Sequence, residues 1–174
     1  IPHKVELLPL LDEVSPLASR VGAANTIYWK GERLCGENTD VAGFMAPLAN
    51  VPLAGADVLL LGAGGAARAV AAGLVTAAPQ NRPASVFVAT PSDKSHLPLA
   101  EEFGLTPLLW QDRHDPAPLL VINTTPLGMS GKAEQDTPYN FSLNKPLAPA
   151  SDANATPLAY DIVYNPLETR FLRE

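Results

Sequence analysis

The chain has 174 residues, 47% of them hydrophobic, with one cysteine and a net charge of −6. That length suffices for one full domain and part of another, with a core burying roughly 70% of the unfolded surface. The 12 basic residues form no cluster, which argues against a nucleic-acid or anionic-membrane partner; the lone Cys35 rules out an internal disulfide and fits a reducing compartment; no apolar stretch reaches the length of a membrane helix.

Residues 7–17 mix apolar and acidic positions and predict a helix, with Pro16 in an early turn or at a helix start. Thr26-Ile27-Tyr28-Trp29 is rich in β-formers. Lys30-Gly31-Glu32 gives a turn and Arg33-Leu34-Cys35 a return strand, so a hairpin is expected. Thr39 or Asp40 then caps a helix over residues 41–48. Residues 50–56 are a hinge. Beyond it strands and helices alternate: strand 57–61, helix 65–76, loop 77–83, strand 85–89, helix 94–103 kinked at Pro98, strand 105–110, strand 119–122, loop 145–157 and strand 159–163. That alternation predicts an α/β, doubly wound parallel sheet. Ligands of such sheets lie beyond the carboxyl ends of the strands, so the residues after Leu61, Val88, Ile122 and Ile162 are the ones to watch. The chain opens on Ile1 rather than Met and closes on what reads as the start of a helix, so both ends of the unit are expected to lie outside it.

Gly62-Ala63-Gly64-Gly65-Ala66-Ala67, directly after Val58-Leu59-Leu60-Leu61, is the dinucleotide-binding arrangement G-x-G-x-x-A. Gly62 permits the tight turn, Gly64 lets backbone approach a pyrophosphate, and Ala67 keeps the helix close to the sheet. The helix N-terminus offers free N–H groups and partial positive charge to the anion.

Other polar groups are ambiguous one at a time. Lys4 reads as a surface charge or a functional cation. Asn25-Thr26 and Asn38-Thr39-Asp40 read as turn and cap residues or as a site. Asn123-Thr124-Thr125 follows a strand and reads as a turn or a nucleotide contact. Tyr160 and Tyr164 are core or ligand-facing. His3 is a bystander of Lys4, His96 and His114 read as surface residues, and Cys35 as a packed one. Arg68 is a helical surface arginine or a phosphate contact. No His/Cys/Asp set has metal-ligand spacing.

Taken in order, Ile1-Pro2-His3-Lys4, Gly22-Ala23-Ala24-Asn25-Thr26, Gly36-Glu37-Asn38-Thr39-Asp40, the glycine turn, the run 123–129 and Asp161-Ile162-Val163-Tyr164-Asn165-Pro166 resemble the motif series of the shikimate dehydrogenase family. The resemblance spans nearly the whole chain. It implies a Rossmann-like cofactor unit over residues 51–174, incomplete at its C-terminal end, and a partial N-terminal substrate domain over residues 1–50. It implies reversible NADP-dependent reduction of 3-dehydroshikimate to shikimate by a cytoplasmic enzyme that acts on small molecules, with no nucleic-acid or membrane partner and no metal. By the same resemblance Lys4 is catalytic with Asp40 as its carboxylate partner, and Asn25 and Tyr164 are on the substrate. Gly62, Gly64, Gly65 and Ala66 match the pyrophosphate turn, and Asn123, Thr124 and Thr125 the ribose and nicotinamide side, with Ile162 also on the cofactor side. Oligomeric state is left open, a homodimer included.

The chain departs from the family where Asn-Arg-Thr is usual: it has Ala89-Thr90-Pro91, without the arginine that contacts a 2′-phosphate. Lys94 aligns with a second basic position and offers a point charge instead. NADP is the first expectation and NAD the second. The alternatives are a quinate or shikimate dehydrogenase using NAD, a catalytically silent metabolite-binding homologue, and a bare nucleotide-binding module. The family's serine pair for the substrate carboxylate is expected upstream of Ile1, and its late glutamine and nicotinamide-facing glycine beyond Glu174. Weak or no activity is therefore expected of these residues alone.

Overall fold

Two sheets organise the chain in the computed structural model, whose described residues are 3–92, 95–143 and 156–174. The smaller sheet comprises β1 (Glu13–Val14), β2 (Thr26–Lys30) and β3 (Arg33–Glu37), in the order β1-β3-β2. Strands β2 and β3 form the expected antiparallel hairpin, turning at Gly31 with φ +64°. The segment expected as one helix over residues 7–17 is instead a 3-10 turn (Leu8–Leu10), β1 and then α1 (Pro16–Val21). Tertiary pairing overrides local helical pattern there, because Glu13 and Val14 pair in parallel with Cys35 and Gly36. Pro16 then takes the first helical position behind a Ser15 cap, and α1 stops at left-handed Gly22.

The helix after the hairpin is α2 (Asp40–Met45), followed by a 3-10 turn (Ala46–Leu48) that contains Pro47. Neither Thr39 nor Asp40 caps it through its side chain. Asn38 does: its Oδ1 accepts from the N–H groups of Asp40 at 3.1 Å and Val41 at 3.4 Å.

The larger sheet has five parallel strands in the order β6-β5-β4-β7-β8. They are β4 (Asp57–Leu61), β5 (Ser85–Ala89), β6 (Thr106–Pro107), β7 (Leu120–Asn123) and β8 (Leu158–Asp161), with α3 (Gly65–Thr76) and α4 (His96–Phe103) between them and α5 (Arg170–Arg173) last. This is the expected Rossmann-like fold class. Strand order reverses between β4 and β7, which opens the ligand crevice at their carboxyl ends. The third strand is shorter than expected. Pro107 cannot extend the ladder on its edge, and the chain turns into a 3-10 segment (Trp110–Asp112). Strand β8 also stops early, because the Asp161 carboxylate turns the chain by accepting from the Val163 N–H. Helix α4 starts at His96, so Pro98 sits in its first turn, where a missing N–H costs nothing, and no kink is needed. His96 is not at the surface. It is 2% exposed, with Nδ1 3.3 Å from the hydroxyl of buried Thr90. Residues 145–155 of the expected loop lie outside the described residues.

Continuous apolar runs in β4 and β7 bury both faces. Val58, Leu60 and Ile122 pack under α3 and α4. Leu59, Leu61 and Val121 pack under Tyr139, Phe141 and Phe171, supplied by a long loop and α5. Each such side chain contributes roughly 1.5–3 kcal/mol on burial. Helix α3 is alanine-rich and also meets α2. A Cβ on Gly73 would stand 2.9 Å from Met45 Cγ and 3.2 Å from Val41 Cγ1. Gly73→Val should therefore cost about 1–3 kcal/mol by overpacking; chemical denaturation of parent and variant checks it, and an equal midpoint would refute the tight contact.

On the second face His114 is half-buried rather than a surface residue. Its ring stacks on Tyr139 at 4.5 Å, and its Nε2 accepts from the Asn140 N–H at 3.1 Å. That role needs Nε2 unprotonated. Burial first, then neighbouring Arg113, push the His114 pKa below its usual value, against Asp115, while burial pushes the Tyr139 hydroxyl up to about 12. A depressed histidine pKa stabilises the fold fully above the unfolded value, near about 6.5, and the contribution is lost as pH falls through the lowered folded value. Between about pH 8 and 5 the parent should lose more melting temperature than His114→Phe, which keeps the stack without the titration. Parallel pH profiles would contradict this.

Candidate active site

The glycine turn is stapled on two sides. The Gly62 N–H donates to the Ala89 carbonyl at 2.9 Å, and both the N–H and the hydroxyl of Thr124 donate to the Leu61 carbonyl, at 2.8 and 2.7 Å. Gly62 has φ +116°, and a Cβ there would collide with the Thr124 side chain and backbone. Gly64 and Gly65 are different: a Cβ on either would meet nothing within 4 Å, and both are exposed. Gly64 precedes α3, whose first N–H groups have no intrahelical acceptor. Open space over a helix N-terminus fits the phosphates of a dinucleotide. Ala67 is fully buried, in contact with the core beneath the helix.

Lys4 Nζ lies 2.6 Å from Asp40 Oδ2. The other oxygen, Oδ1, accepts from Asn25 Nδ2 at 2.7 Å. Asn25 Oδ1 accepts in turn from the Thr39 N–H at 2.9 Å and from the Thr26 hydroxyl at 3.0 Å. Asn38, itself buried, donates to the Ala23 carbonyl at 2.9 Å. The two Asn-Thr pairs thus form one polar frame around Asp40, at the first turn of α2, where a carboxylate also meets the positive end of the helix. Lys4 is tethered through its own carbonyl, which accepts from the Ala24 N–H at 2.9 Å. Both side chains are about one-third exposed or more (32% and 40%), and such a pair contributes about 0–1 kcal/mol to stability. Its value is chemical: an oriented ammonium beside an accessible carboxylate.

Lys4, Asp40, Ala66, Met129, Ile162 and Tyr164 line one cleft of about 640 Å³, within the range of small-molecule sites. Phe44 and Tyr160, edge to face at 4.9 Å, join α2 to β8 along it. Of the residues singled out in the sequence, the structure therefore brings Lys4, Asp40, Ala66, Ile162 and Tyr164 together, with Tyr164 79% exposed. Asn25 stands directly behind Asp40. Asn123 and Thr125 are buried, and Asn123 Oδ1 accepts from the Thr125 N–H at 2.9 Å and from its hydroxyl at 2.7 Å. Lys94 lies outside the described residues. Arg68 is committed elsewhere: it donates to the Val21 carbonyl at 2.8 Å and pairs with Glu102 at 2.6 Å, so it braces α1 and α4 rather than a phosphate.

Met129 and Asp161 stand in motifs visible in the sequence but are given no role there. Asp161 ends the strand beside β7, and its position at a strand's carboxyl end was the signal available. Its carboxyl pKa is raised by burial, against hydrogen bonds from Thr169, Val163 and Asn123 that lower it.

Fold and site together define a Rossmann-type dinucleotide-binding unit joined to a lysine–carboxylate pair across one cleft. No protein-family model matches the chain. It is 45% identical over 176 residues to the shikimate dehydrogenase (NADP(+)) of Pelobacter propionicus, an alignment covering 100% of this chain and 59% of that protein. Among solved structures, shikimate 5-dehydrogenase from Thermus thermophilus in complex with NADP(H) and shikimate matches with TM-score 0.78 and 36% identity, over 99% of this chain and 60% of that one. Quinate dehydrogenase from Corynebacterium glutamicum in complex with NAD matches with TM-score 0.80 and 32% identity, over 99% and 60%. Over its whole length the chain is similar to curated proteins named shikimate dehydrogenase (NADP(+)). It spans 59% and 58% of the length of the first two curated relatives.

Proposed function

We propose that this chain carries the cofactor turn and the proton-donating pair of an NADP-dependent shikimate dehydrogenase, a cytoplasmic enzyme that reversibly reduces 3-dehydroshikimate to shikimate. The observation that carries this reading is the Lys4–Asp40 pair opening into the same cleft as Ala66 of the glycine turn. Residues 1–50 form the substrate side and residues 51–174 the cofactor side. Gly62, Gly64, Gly65 and Ala66 would hold the pyrophosphate, with Thr124 and Ile162 beside the ribose and nicotinamide; Asn123 and Thr125 support that loop from behind. The bound cofactor supplies hydride to the ketone carbon.

Lys4 has two tasks. Its ammonium stabilises the negative charge that grows on the carbonyl oxygen, and it delivers the proton that completes the alcohol. Asp40 keeps that ammonium oriented, and its exposed carboxylate can accept a substrate hydroxyl. Asn25 fixes Asp40 and has a second amide hydrogen for a ring hydroxyl. Tyr164 would close on the substrate. In the full-length protein, Lys4→Ala should lower kcat by about 10²–10⁴-fold with little change in NADP affinity. Steady-state kinetics and calorimetric cofactor binding check this, and unchanged turnover would remove Lys4 from the chemistry.

A second reading is favoured by one observation. The segment 90–96 after β5 has no arginine, and its one lysine is Lys94. Thr90, 3% exposed, turns its hydroxyl inward to the Ser92 carbonyl and toward His96. A site without an arginine there discriminates less strongly for a 2′-phosphate, as in a quinate or shikimate dehydrogenase using NAD. Dissociation constants for NADP and NAD, with shikimate and quinate oxidation rates, separate the two. NADP tighter by about 10-fold or more, with shikimate preferred, is expected on the first reading; NAD as tight as NADP, with quinate turned over, would establish the second.

A further inference from the structure

The wall of the cleft that does not carry Lys4 and Asp40 hangs on one carboxylate. Asp161 Oδ1 accepts from Asn123 Nδ2 at 3.0 Å and from the Val163 N–H at 2.9 Å, and Oδ2 accepts from the Thr169 hydroxyl at 2.6 Å. Each partner belongs to a different piece of backbone. Asn123 ends β7 and also donates to the Leu127 carbonyl at 3.1 Å, which shapes the loop leading to Met129. Val163 lies in the turn that carries Ile162 and Tyr164. Thr169 is the N-cap of α5. The Ser130 N–H adds a 2.9 Å bond to the Asn165 carbonyl, between the same loop and the same turn. Asn123 and Thr169 are both fully buried, so water cannot replace a lost acceptor.

We propose that Asp161 is a positioning residue for the reaction: its carboxylate sets Met129, Ile162 and Tyr164 relative to the Lys4–Asp40 pair. The proposal rests on the dehydrogenase reading above. All three partners donate to it, so the network calls for acceptor oxygens on both sides of the group. An asparagine keeps one oxygen for Asn123 and Val163 and turns its amide toward Thr169, whose hydroxyl can accept. An alanine leaves one Asn123 amide hydrogen and the Val163 N–H without an acceptor and lets loop and turn part. Misplacing reacting or clamping groups by an ångström is enough to cost a large factor in rate.

The test uses full-length parent, Asp161→Ala, Asp161→Asn and Thr169→Val, with shikimate and NADP as the probes. Asp161→Ala should lose about 10-fold or more in kcat/KM, mainly through higher KM for both ligands. Asp161→Asn should recover most of that loss. Thr169→Val, which removes one donor at a position outside the cleft lining, should shift KM in the same direction by less. Backbone amide resonances of Met129 and Tyr164 should move in the alanine variant and stay near parent in the asparagine variant. Should Asp161→Ala fail to fold, Thr169→Val and Asp161→Asn decide: raised KM in the first with near-parent kinetics in the second supports the role. An active parent whose Asp161→Ala or Thr169→Val variant keeps parental KM values overturns it. So does an Asp161→Asn variant with parental resonances and no activity, since the carboxylate would then act chemically. A parent inactive on both probes overturns the dehydrogenase reading itself, together with this proposal.

Discussion

The site exists because α2 can lie directly against α3. Gly73 has no side chain where Met45 and Val41 press in, and the neighbouring alanines keep the rest of α3 thin. The same helix packs on the sheet through Ala67, Val70, Ala71 and Leu74, so it is apolar on nearly all sides and serves as the common wall of both units. That contact sets the distance between Asp40, which opens α2, and Ala66, in the first turn of α3. The ion pair could not do so itself. A half-exposed pair is worth too little to hold two helices in place, whereas several buried aliphatic groups at roughly 1.5–3 kcal/mol each are not.

Two polar centres border the cleft, and their energetics differ. Lys4–Asp40 keeps contact with water, and Asn25 engages only Oδ1 of Asp40. Its geometry is set, yet each charged group retains room for a ligand. Asp161 is more deeply placed and saturated by Asn123, Val163 and Thr169. Burial disfavours its charge and outweighs the three donors that favour it. An accessible pair suits proton delivery. A saturated anion suits rigidity.

What was legible in the sequence follows from how local each signal is. Strands β4 and β5 match their expected bounds residue for residue, because a continuous apolar run flanked by turn residues specifies a buried parallel strand without reference to the rest of the chain. The glycine turn and α3 are equally local. Strand β1 was not legible, since two residues become a strand only when β3 offers them a ladder; of α1, the start at Pro16 was. His96 and His114 read as surface residues from polar neighbours, yet Thr90 and Tyr139, distant in pattern but adjacent in space, enclose them. At the site, Lys4 and Asp40 could be paired only through the ordered series of motifs. Spacing alone does not bring residues 36 positions apart to 2.6 Å. Asp161 as a hub escaped for the same reason: Asn123 and Thr169, which bond to it, lie on other elements.

The glycines of the fingerprint have opposite reasons for being glycine. Gly64 and Gly65 face open space, where a side chain would meet no protein atom. Gly62 faces inward, and the atoms a side chain would strike are those of Thr124. Thr124 follows Asn123, which bonds to Asp161. The bend after β4, the loop after β7 and the turn after β8 are therefore one connected body, linked by Thr124 onto Leu61 and by Asn123 onto Asp161. A dinucleotide cradle is usually attributed to one strand and one helix. Here the bend after β4 is also tied, through Thr124 and Asn123, to a carboxylate two strands away, because adjacent parallel strands that end together must satisfy their last polar groups with one another.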